Sequence, residues 1–482
     1  MNIKKIYFVG IKGVGMSPLA ILAKQAGFVV AGSDINEAFI TDEYLSRENI
    51  FPLRGFSEKN IENFIAKSFK DEILVISTSA HNGFNNIETK FAWENKFKVL
   101  TQGQAVGSFM SGEILDRHDL EGISIAGTHG KTTISALFAT TLSILEFNPS
   151  YVVGTGEIFP LGAPGHYGKG SVFVAEADEY VSEPNFDPVP KFLYQMPKFA
   201  VFNNIDFDHP DYYKNLEAVE NAFIEFSGKI KKSGILFING DSQRINSVRE
   251  RMNSGIKVVT YGVSEKNDFS ITNFKEAGTG SRFSVETKGI TLGEFDLSIP
   301  GFHNAKNSLP VIALLLEFGV SVSKIKQALL KFLGTKRRLE TIGKINGNII
   351  IDDYAHHPNE IKATLSAIKK AYPGKKVICI FQPHTYSRTK ALLFDFVASF
   401  FDADFLILLP IYASLREKKD VNFSSKDLLD GFRKIRRDVL LLNEKKIVLE
   451  YISQNFKSGD CIIVTMGAGD VYKISQELKV KS

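Results

Sequence analysis

Short apolar runs alternate with helix-like segments from the start of the chain. The first strand-like run is KKIYFVG, a helix-like segment follows at residues 16–27, and a second strand-like run is FVVAGSD. Further apolar runs occur at EILVIST and FKVL. Because strands that alternate with helices form βαβ units, this region predicts a parallel sheet with helices on its faces.

The same alternation occurs twice more along the chain. A second series begins at GISIAGTHG and continues through SVFVAEAD, KFAVFNN and GILFING, and a third begins at NIIIDDYAHHP. Residues 268–300 instead alternate apolar and polar positions, which indicates antiparallel strands added to the second series. The sequence therefore predicts an α/β protein with three domains, at residues 1–108, 109–331 and 332–482.

Length and composition agree with three globular domains. The chain has 482 residues, 44% hydrophobic and 23% charged, whereas one domain usually spans about 150 residues. The net charge of +4 predicts no broad surface for nucleic acid or membrane. No run approaches the roughly 18 apolar residues of a membrane span, and we expect no signal peptide. Cys379 and Cys461 lie in apolar strand-like runs, which favours reduced thiols and a cytoplasmic protein.

A glycine-rich loop carries the clearest chemistry in the sequence. It lies between a strand-like and a helix-like run and consists of Gly127, Thr128, His129, Gly130, Lys131, Thr132 and Thr133. Backbone N–H groups of such a loop, with the positive end of the helix, surround phosphate oxygens. We expect Lys131 to bridge the outer phosphates and Thr132 to hold Mg²⁺. The loop is shorter than the usual P-loop pattern, since Ile125 stands where that pattern has glycine; simple turn glycines are the alternative interpretation.

The run GTHGKTT resembles the ATP loop of the Mur ligases. Other blocks resemble that family in the same order: FVGIKGVGMSPLA, EADE at 176–179, NNIDFDH at 203–209, GFHNAKN at 301–307, TKRRLE at 335–340 and DDYAHHPNE at 352–360. The resemblance implies a ligase that uses ATP to activate a carboxylate as an acyl phosphate and then couples it to an amino acid. It also implies a Rossmann-like UDP-binding domain, a central P-loop ATPase-like domain with an added antiparallel sheet, and a Rossmann-like C-terminal domain.

Acidic side chains and a histidine follow two strands of the second series. Glu176, Asp178 and Glu179 follow SVFVA, and His209 follows KFAVFNN, so all should lie at the edge of the sheet where ligands of α/β proteins bind. Oxygen ligands with one imidazole suit Mg²⁺ or Mn²⁺. The resemblance implies that Thr132 and Glu176 hold the metal of ATP and that His209 reaches a second metal, with Lys131, Glu176 and His209 catalytic. Capping of a turn is the alternative for Asp178 and Glu179.

Further nucleotide contacts are implied by the resemblance alone. Asn304 corresponds to an asparagine that contacts adenine, although asparagine is also a favoured helix cap. In TKRRLE and the following strand, Arg337 is expected at the phosphates and Asp352 at the ribose when the third domain closes over ATP. Such closure would exclude water from the acyl phosphate. A solvated basic run is the alternative for the two arginines.

The run FQPHTYSRTK resembles a block that holds the incoming amino acid. Its candidate residues are His384 and Arg388, which follow a strand-like run of the third series. A role of His384 in stabilising the backbone is the alternative. The prediction for this part of the chain is a binding site for the amino-acid acceptor.

The first domain carries a second glycine-rich turn. Residues 10–18 follow a strand and open a helix, and Gly13, Gly15, Ser33 and Asp34 are the candidate ligand contacts. This pattern is close to a dinucleotide fingerprint, so an NAD-dependent oxidoreductase is the alternative from another reaction class. In the Mur ligases a similar turn cradles the diphosphate of a UDP-sugar. The sequence departs from the family at three positions, which are Lys12, Pro18 and Phe56.

The identity of the acceptor depends on the closest branch of the family. Two branches use UDP-N-acetylmuramate itself: one adds free L-alanine in peptidoglycan precursor synthesis, and the other recycles the tripeptide L-alanyl-γ-D-glutamyl-meso-diaminopimelate. EADEY and NNIDFDHPD are closer to the recycling branch, whereas TKRRLE and FQPHTYSRTKALLFDF are closer to the alanine branch. Because the last block lies in the domain expected to contact the acceptor, we expect L-alanine. A nucleotide- or carbohydrate-binding module without catalysis is the third hypothesis.

Overall fold

A computed structural model describes residues 2–66, 68–184, 186–252, 255–413, 417 and 419–480. The chain divides into two compact units. Unit 1 comprises residues 1–272, 284–295 and 306–333, and unit 2 comprises residues 273–283, 296–305 and 334–482.

The first sheet of unit 1 is wholly parallel. Its strands are β1 (Lys5–Val9), β2 (Val29–Asp34), β3 (Leu53–Arg54), β4 (Ile73–Ser77) and β5 (Lys98–Thr101), in the order β3-β2-β1-β4-β5. The helices are α1 (Ser17–Gln25), α2 (Asp42–Arg47), α3 (Glu58–Ile65), α4 (Ile87–Glu94) and α5 (Gln102–Met110), with 3₁₀ turns at Lys70–Glu72 and Gly83–Asn85. The strand order reverses between β1 and β4, which is where ligands of such sheets bind. The predicted βαβ arrangement is confirmed.

The second sheet carries the glycine-rich loop. Its region contains β6 (Glu121–Ala126), β7 (Ser150–Val152), β8 (Ile158–Phe159), β9 (Gly165–His166), β10 (Val172–Ala177), β11 (Val181–Glu183), β12 (Asp187–Pro190), β13 (Phe199–Phe202), β14 (Ile235–Asn239), β15 (Lys257–Gly262), β16 (Phe269–Ala277), β17 (Gly280–Thr287) and β18 (Ile290–Leu297). The sheet order is β18-β17-β16-β15-β14-β13-β6-β10-β7-β9. Two-residue connections join β16 to β17 and β17 to β18, as in the antiparallel hairpins that the alternating sequence predicts.

Five α-helices and a 3₁₀ helix accompany these strands. They are α6 (Lys131–Ile144), α7 (Leu216–Ser227), α8 (Gln243–Arg251), α9 (Phe302–Glu317) and α10 (Val322–Leu330), with the 3₁₀ helix at Lys191–Tyr194. Because β10, β6, β13, β14 and β15 run parallel, their carboxyl ends all lie at one edge of the sheet. The loops that follow these ends are the candidates for a binding site.

Unit 2 contains a third sheet. The strands of this part of the chain are β19 (Gly334–Thr335), β20 (Glu340–Ile345), β21 (Asn348–Asp353), β22 (Lys376–Phe381), β23 (Phe405–Leu408), β24 (Val439–Leu441) and β25 (Cys461–Met466). The sheet order is β20-β21-β25-β22-β23-β24, with only β20 antiparallel to its neighbour. The helices are α11 (Pro358–Ala371), α12 (Tyr386–Ala391), α13 (Leu393–Val397), α14 (Ser425–Arg433), α15 (Lys445–Asn455) and α16 (Tyr472–Val480).

Central strands of the three larger sheets are buried throughout and mostly apolar. Each residue of β4, β14 and β25 is buried, as expected where helices cover both faces of a parallel sheet. Pro358 begins α11, because the first turn of a helix needs no N–H from that position, and this start agrees with the sequence. None of the helices in the described residues combines the length and hydrophobicity needed to cross a membrane.

Candidate functional site

The glycine-rich loop connects β6 to α6, as predicted. Gly127 has φ +144° and Gly130 has φ +82°, backbone conformations that residues with a Cβ disfavour. A Cβ on Gly130 would lie only 2.6 Å from Nδ2 of Asn203. Lys131, Thr132 and Thr133 form the first turn of α6, where backbone N–H groups have no partner within the helix. The loop therefore presents backbone donors at the positive end of a helix, an arrangement that binds anions.

Two asparagines after β13 hold the loop in place. Asn204 accepts the His129 N–H through Oδ1 at 2.7 Å, and its backbone oxygen accepts the Thr128 N–H at 3.2 Å. The side-chain amides of Asn203 and Asn204 both donate to the His129 carbonyl oxygen at 3.0 Å. His129 is thus bonded through both its N–H and its carbonyl. A loop held in this way loses little conformational entropy when a ligand binds.

Lys131 pairs with a buried carboxylate. Its Nζ lies 2.8 Å from Oε2 of Glu179, which is 2% exposed, and donates to the Gly127 carbonyl at 2.6 Å. Burial disfavours the charged Lys131, but Glu179 and Asp178 outweigh it and hold the pKa of the ammonium above its ordinary value. Lys131 therefore stays charged across the physiological pH range. Capping of a turn was the alternative interpretation of Glu179, and in the structure its side chain forms an ion pair with Lys131.

Thr132 and Glu176 lie together at the start of α6. The Thr132 hydroxyl donates to Oε2 of Glu176 at 3.2 Å, and Oε1 of Glu176 accepts the Gly154 N–H at 2.6 Å. Gln195 donates to the Glu176 carbonyl at 2.8 Å and so fixes the end of β10. Hydroxyl and carboxylate oxygens suit Mg²⁺. Among the described residues there is no cluster of three or more His, Cys, Asp or Glu side chains that could hold a metal by itself.

His209 lies beside Asp178 and Tyr180. Its ring centroid is 4.3 Å from that of Tyr180, and its backbone has φ +59°. Burial raises the pKa of Asp178, but Lys191, Lys131 and His209 outweigh it and hold that pKa below its ordinary value. Lys191 makes the closest of these contacts, with Nζ 2.7 Å from Oδ2 of Asp178. The predicted histidine is therefore part of a compact charged cluster next to the loop lysine.

The glycine turn of the first sheet follows β1. Gly10 has φ +78°, and a Cβ there would collide with Thr78. Gly13 donates through its N–H to the Gly10 carbonyl at 3.3 Å. Asp34, at the end of β2, accepts the Lys12 N–H at 2.8 Å. Asp34 therefore fixes the turn from the adjacent strand.

Ser33 and Gly15 have different surroundings at this turn. Ser33 is buried and its hydroxyl donates to the buried Glu88, so that side chain supports the strand end. The Gly15 carbonyl accepts from Gln102 at 3.2 Å. His81, which the sequence did not single out, places Nε2 3.3 Å from Oδ1 of Asp34. Its ring lies 5.2 Å from Phe56, so an imidazole is present beside the phenylalanine that departs from the family pattern.

The other two departures have local explanations. The Lys12 ammonium donates to the Glu37 carbonyl at 2.6 Å and lies 3.5 Å from Asp42, so in this structure it stabilises the loop before α2. Pro18 lies in the first turn of α1, where its missing N–H costs nothing. A Cβ on Gly165 would collide with the Pro18 backbone, so the helix packs closely against β9.

Arg337 and Asp352 pair with each other inside unit 2. Arg337 donates through Nε to Asp352 at 3.0 Å and through its terminal nitrogens to the carbonyls of Gly467 at 2.6 Å and Gly469 at 3.3 Å. Burial raises the pKa of Asp352, while Arg337 and the Thr465 hydroxyl oppose that rise. Both side chains are almost fully buried. Their contacts with ATP remain a prediction.

Asn304 lies in the first turn of α9. Its side-chain amide donates to the Pro300 carbonyl at 2.7 Å, and its N–H donates to the Gly301 carbonyl at 3.0 Å. The side chain therefore has a local role at the helix start, which the alternative interpretation expects. The contact with adenine remains a prediction.

His384 and Arg388 contact each other at the start of α12. A terminal nitrogen of Arg388 lies 3.2 Å from Nδ1 of His384, and Arg388 is 4% exposed. The His384 ring stacks on Tyr412 at 5.8 Å and lies 6.1 Å from the ring of His356. The structure thus brings the two predicted residues together in an aromatic and cationic cluster.

Comparison with known proteins identifies the family of this chain. The sequence matches three family profiles: "Mur ligase family, catalytic domain" over residues 5–113, "Mur ligase middle domain" over 125–315, and "Mur ligase, glutamate ligase domain" over 337–469. It is 38% identical to the UDP-N-acetylmuramate–L-alanine ligase of Desulfitobacterium hafniense over 98% of this chain and 99% of that one. The chain belongs to the Mur ligase family. Members of this family are ATP-dependent ligases, and so is this Mur ligase.

Solved structures confirm the three-domain fold of this Mur ligase. The crystal structure of UDP-N-acetylmuramate–alanine ligase from Thermotoga maritima aligns with a TM-score of 0.77 and 25% identity, covering 98% of each chain. A murein peptide ligase from Psychrobacter arcticus aligns with a TM-score of 0.73 and 24% identity, covering 99% of this chain and 98% of that one, which shows the shared fold. Family membership replaces the oxidoreductase interpretation of the first glycine turn. The domain boundaries at residues 108 and 331 remain predictions.

Several residues that support the site of this Mur ligase were not predicted from the sequence. Asn203, Asn204 and Gln195 hold the phosphate loop and Glu176 by hydrogen bonds, yet none is part of a spacing pattern that predicts a ligand contact. Two signals were available for the asparagines: their position directly after a strand of the second series, and their place in the block NNIDFDH that resembles the family. Support residues of this kind become visible only when the carboxyl ends of neighbouring strands are brought together.

Proposed function

We propose that this protein ligates L-alanine to the carboxylate of UDP-N-acetylmuramate, with ATP as the phosphoryl donor. The products are UDP-N-acetylmuramoyl-L-alanine, ADP and phosphate, in peptidoglycan precursor synthesis. The observation that carries the proposal is the placement of Lys131, Thr132 and Glu176 around the first turn of α6, in a chain similar over its whole length to a ligase of that name.

Phosphate binding is assigned to the loop between β6 and α6. Backbone N–H groups of residues 127–133 would surround the β- and γ-phosphates, and the turn glycines allow the close approach. Lys131, now paired with Glu179, would donate to the phosphate oxygens at the same position. The Glu179 and Asp178 carboxylates stabilise the Lys131 ammonium before ATP binds, so the lysine is already oriented and desolvated.

The proposed reaction consists of two successive displacements. A carboxylate oxygen of the sugar nucleotide attacks the γ-phosphorus, the bond to the ADP oxygen breaks, and an acyl phosphate forms. The amine nitrogen of L-alanine then attacks the acyl carbon and loses a proton, and phosphate leaves with the former carboxylate oxygen. Lys131 would stabilise the negative charge that develops on the oxygens in both steps.

Thr132, Glu176 and His209 are proposed to hold divalent cations. The Thr132 hydroxyl and Glu176 carboxylate supply hard oxygen atoms 3.2 Å apart, and the Gly154 N–H fixes the carboxylate, so this pair fits Mg²⁺. His209, supported by the Tyr180 ring, would reach a second cation near the reacting carboxylate. Bound Mg²⁺ would neutralise the two anions that must approach each other.

The glycine turn after β1 is proposed to bind the sugar nucleotide. Gly13 and Gly15 would present backbone groups to the diphosphate, with Asp34 holding the turn from β2. Ser33 contributes to this site through its bond to Glu88. His384 and Arg388 are proposed to bind the amino acid, because a guanidinium pairs well with its carboxylate. The tripeptide-recycling ligase is the alternative function, and the curated relatives at 34–38% identity favour L-alanine.

Oxygen transfer tests the proposed route. UDP-N-acetylmuramate labelled with ¹⁸O in its carboxylate should give inorganic phosphate that carries one ¹⁸O atom when ATP, Mg²⁺ and L-alanine are present. Mass spectrometry of the phosphate and of the sugar-nucleotide product measures both outcomes. Product formation without label in the phosphate would contradict the acyl phosphate, and no product would contradict the ligation.

A further inference from the structure

A buried tyrosine reaches the phosphate loop through one side-chain amide. Tyr261 lies in β15, two strands away from β13, and is fully buried. Its hydroxyl donates to Oδ1 of Asn203, the residue that follows β13, at 2.9 Å. The Nδ2 group of Asn203 donates in turn to the His129 carbonyl at 3.0 Å and to Oδ1 of Asn307 at 3.2 Å.

This chain of bonds has only one consistent orientation of the amide. The His129 carbonyl is an acceptor, so it requires the NH₂ end of Asn203, and the oxygen end must then face Tyr261. Burial raises the pKa of Tyr261 well above its ordinary value, so the phenol keeps its proton and acts as the donor. Asn239 holds the backbone of Asn203 by donating to its carbonyl at 3.0 Å. Tyr261 therefore supplies the hydrogen bond that the buried oxygen end of the amide needs when the NH₂ end faces the loop.

The orientation of Asn203 determines that of a loop peptide. In a trans peptide the C=O and the following N–H point in opposite directions. Because the asparagine amides hold the His129 carbonyl, the Gly130 N–H must point away from them, at the start of α6. Gly130 itself packs against Asn203, since a Cβ there would lie 2.6 Å from Nδ2. A rotated amide would place an oxygen against the His129 carbonyl and favour rotation of that peptide.

We propose that Tyr261 is a positioning residue for nucleotide binding, which acts through Asn203 to keep the Gly130 N–H directed at the phosphates. This inference rests on the proposed role of the loop in binding ATP. Tyr261 is fully buried and would act only through Asn203. Its contribution is to hold the donor geometry before the nucleotide arrives.

The test is a double-mutant cycle on the full chain, with the affinity for ADP and Mg²⁺ measured by calorimetry. Tyr261→Phe keeps the ring and should weaken ADP binding about tenfold, the effect of one lost buried hydrogen bond. In the Asn203→Ala background the same change should alter the affinity less than about twofold, because the two residues act in series. The KM for ATP in the ligation should rise about tenfold, with little change in kcat at saturating ATP.

Tyr151→Phe is the matched control, because Tyr151 is also buried in this sheet but packs against His166, with ring centroids 5.6 Å apart. It should leave the affinity for ADP unchanged. Unaltered binding in Tyr261→Phe, or an equal loss in both backgrounds, would overturn the positioning role. If the coupling is found but the wild type forms no product from L-alanine, only the proposed ligation fails. If the wild type does not bind ADP, both fail.

Discussion

Lys131 forms an ion pair with the buried Glu179 at the centre of the site, with Nζ 2.8 Å from Oε2. The other carboxylate oxygen of Glu179 is buried and makes no hydrogen bond in the described part of the chain. Glu179 therefore pairs with the same ammonium group that is proposed to contact the phosphates of ATP. Nucleotide binding must change this pairing, because the Lys131 ammonium would then contact phosphate oxygens. Substitutions of Lys131 and of Glu179 test the two residues separately.

Replacing Lys131 with alanine should abolish turnover. The variant loses the donor to the transferred phosphoryl group and leaves Glu179 buried without its partner, so the free energy of unfolding should also fall by about 3 kcal/mol. Phosphate release and urea unfolding measure the two effects. Lys198→Ala, which removes a partly exposed partner of Glu121, is the matched control and should change either quantity little. Substantial residual turnover in Lys131→Ala would remove the lysine from the mechanism.

Replacing Glu179 with glutamine should strengthen the binding of ADP without metal. The change removes a negative charge beside the phosphate site while retaining a group that can accept a hydrogen bond from Lys131. We expect the affinity for metal-free ADP to rise several-fold and the free energy of unfolding to fall by about 1–3 kcal/mol. Calorimetry and urea unfolding provide the measurements. Glu121→Gln is the control, and weaker ADP binding in Glu179→Gln would contradict the idea that the carboxylate competes with phosphate.

Alanine at Gly130 should disrupt the phosphate loop. Both the positive φ and the contact with Asn203 oppose a Cβ at this position. We expect a loss of ADP binding of at least about tenfold while the sheets remain folded, measured by calorimetry and circular dichroism. Gly278→Ala is the matched control, because Gly278 also has positive φ but no atom lies within 4 Å of its Cβ position. Equal loss of ADP binding in both variants would show that the packing against Asn203 is unimportant.

The sequence predicted the sheets and the loop well, because these depend on local patterns. Apolar strands such as β4 and β25 are visible as continuous runs, and the glycines before α6 mark a turn that few other residues allow. Partners such as Glu179 and Tyr261 could not be assigned in this way. Their roles depend on which strand ends are neighbours, and that information is in the strand order, not in residue spacing.

Asp353 should make stability depend on pH. Burial raises its pKa from 3.8 to about 6, although Arg338 and the N–H groups of Ala355 and Leu339 oppose the rise. The folded state thus favours the neutral Asp353 carboxyl. Its contribution to the free energy of unfolding is complete below pH 3.8 and is lost as the pH rises through about 6. Between pH 3.8 and about 6, the free energy of unfolding of the wild type should fall by roughly 3 kcal/mol relative to that of Asp353→Asn.

Urea unfolding across this pH range provides the measurement for Asp353. The free energy of unfolding of Asp353→Asn, minus that of the wild type, should increase with pH up to about 6 and then level off. Asp395→Asn, at an exposed position of α13, is the matched control and should show no such rise. A constant difference for Asp353→Asn, or an equal rise for Asp395→Asn, would contradict the assignment.

The proposed ligation of L-alanine to UDP-N-acetylmuramate can be tested with a panel of acceptors. Phosphate release is measured with UDP-N-acetylmuramate, ATP and Mg²⁺ in the presence of L-alanine, glycine, L-serine or L-alanyl-γ-D-glutamyl-meso-diaminopimelate. We expect L-alanine to give the highest kcat/KM and the product to have the mass of UDP-N-acetylmuramoyl-L-alanine. Release that depends on the tripeptide and not on L-alanine would contradict it.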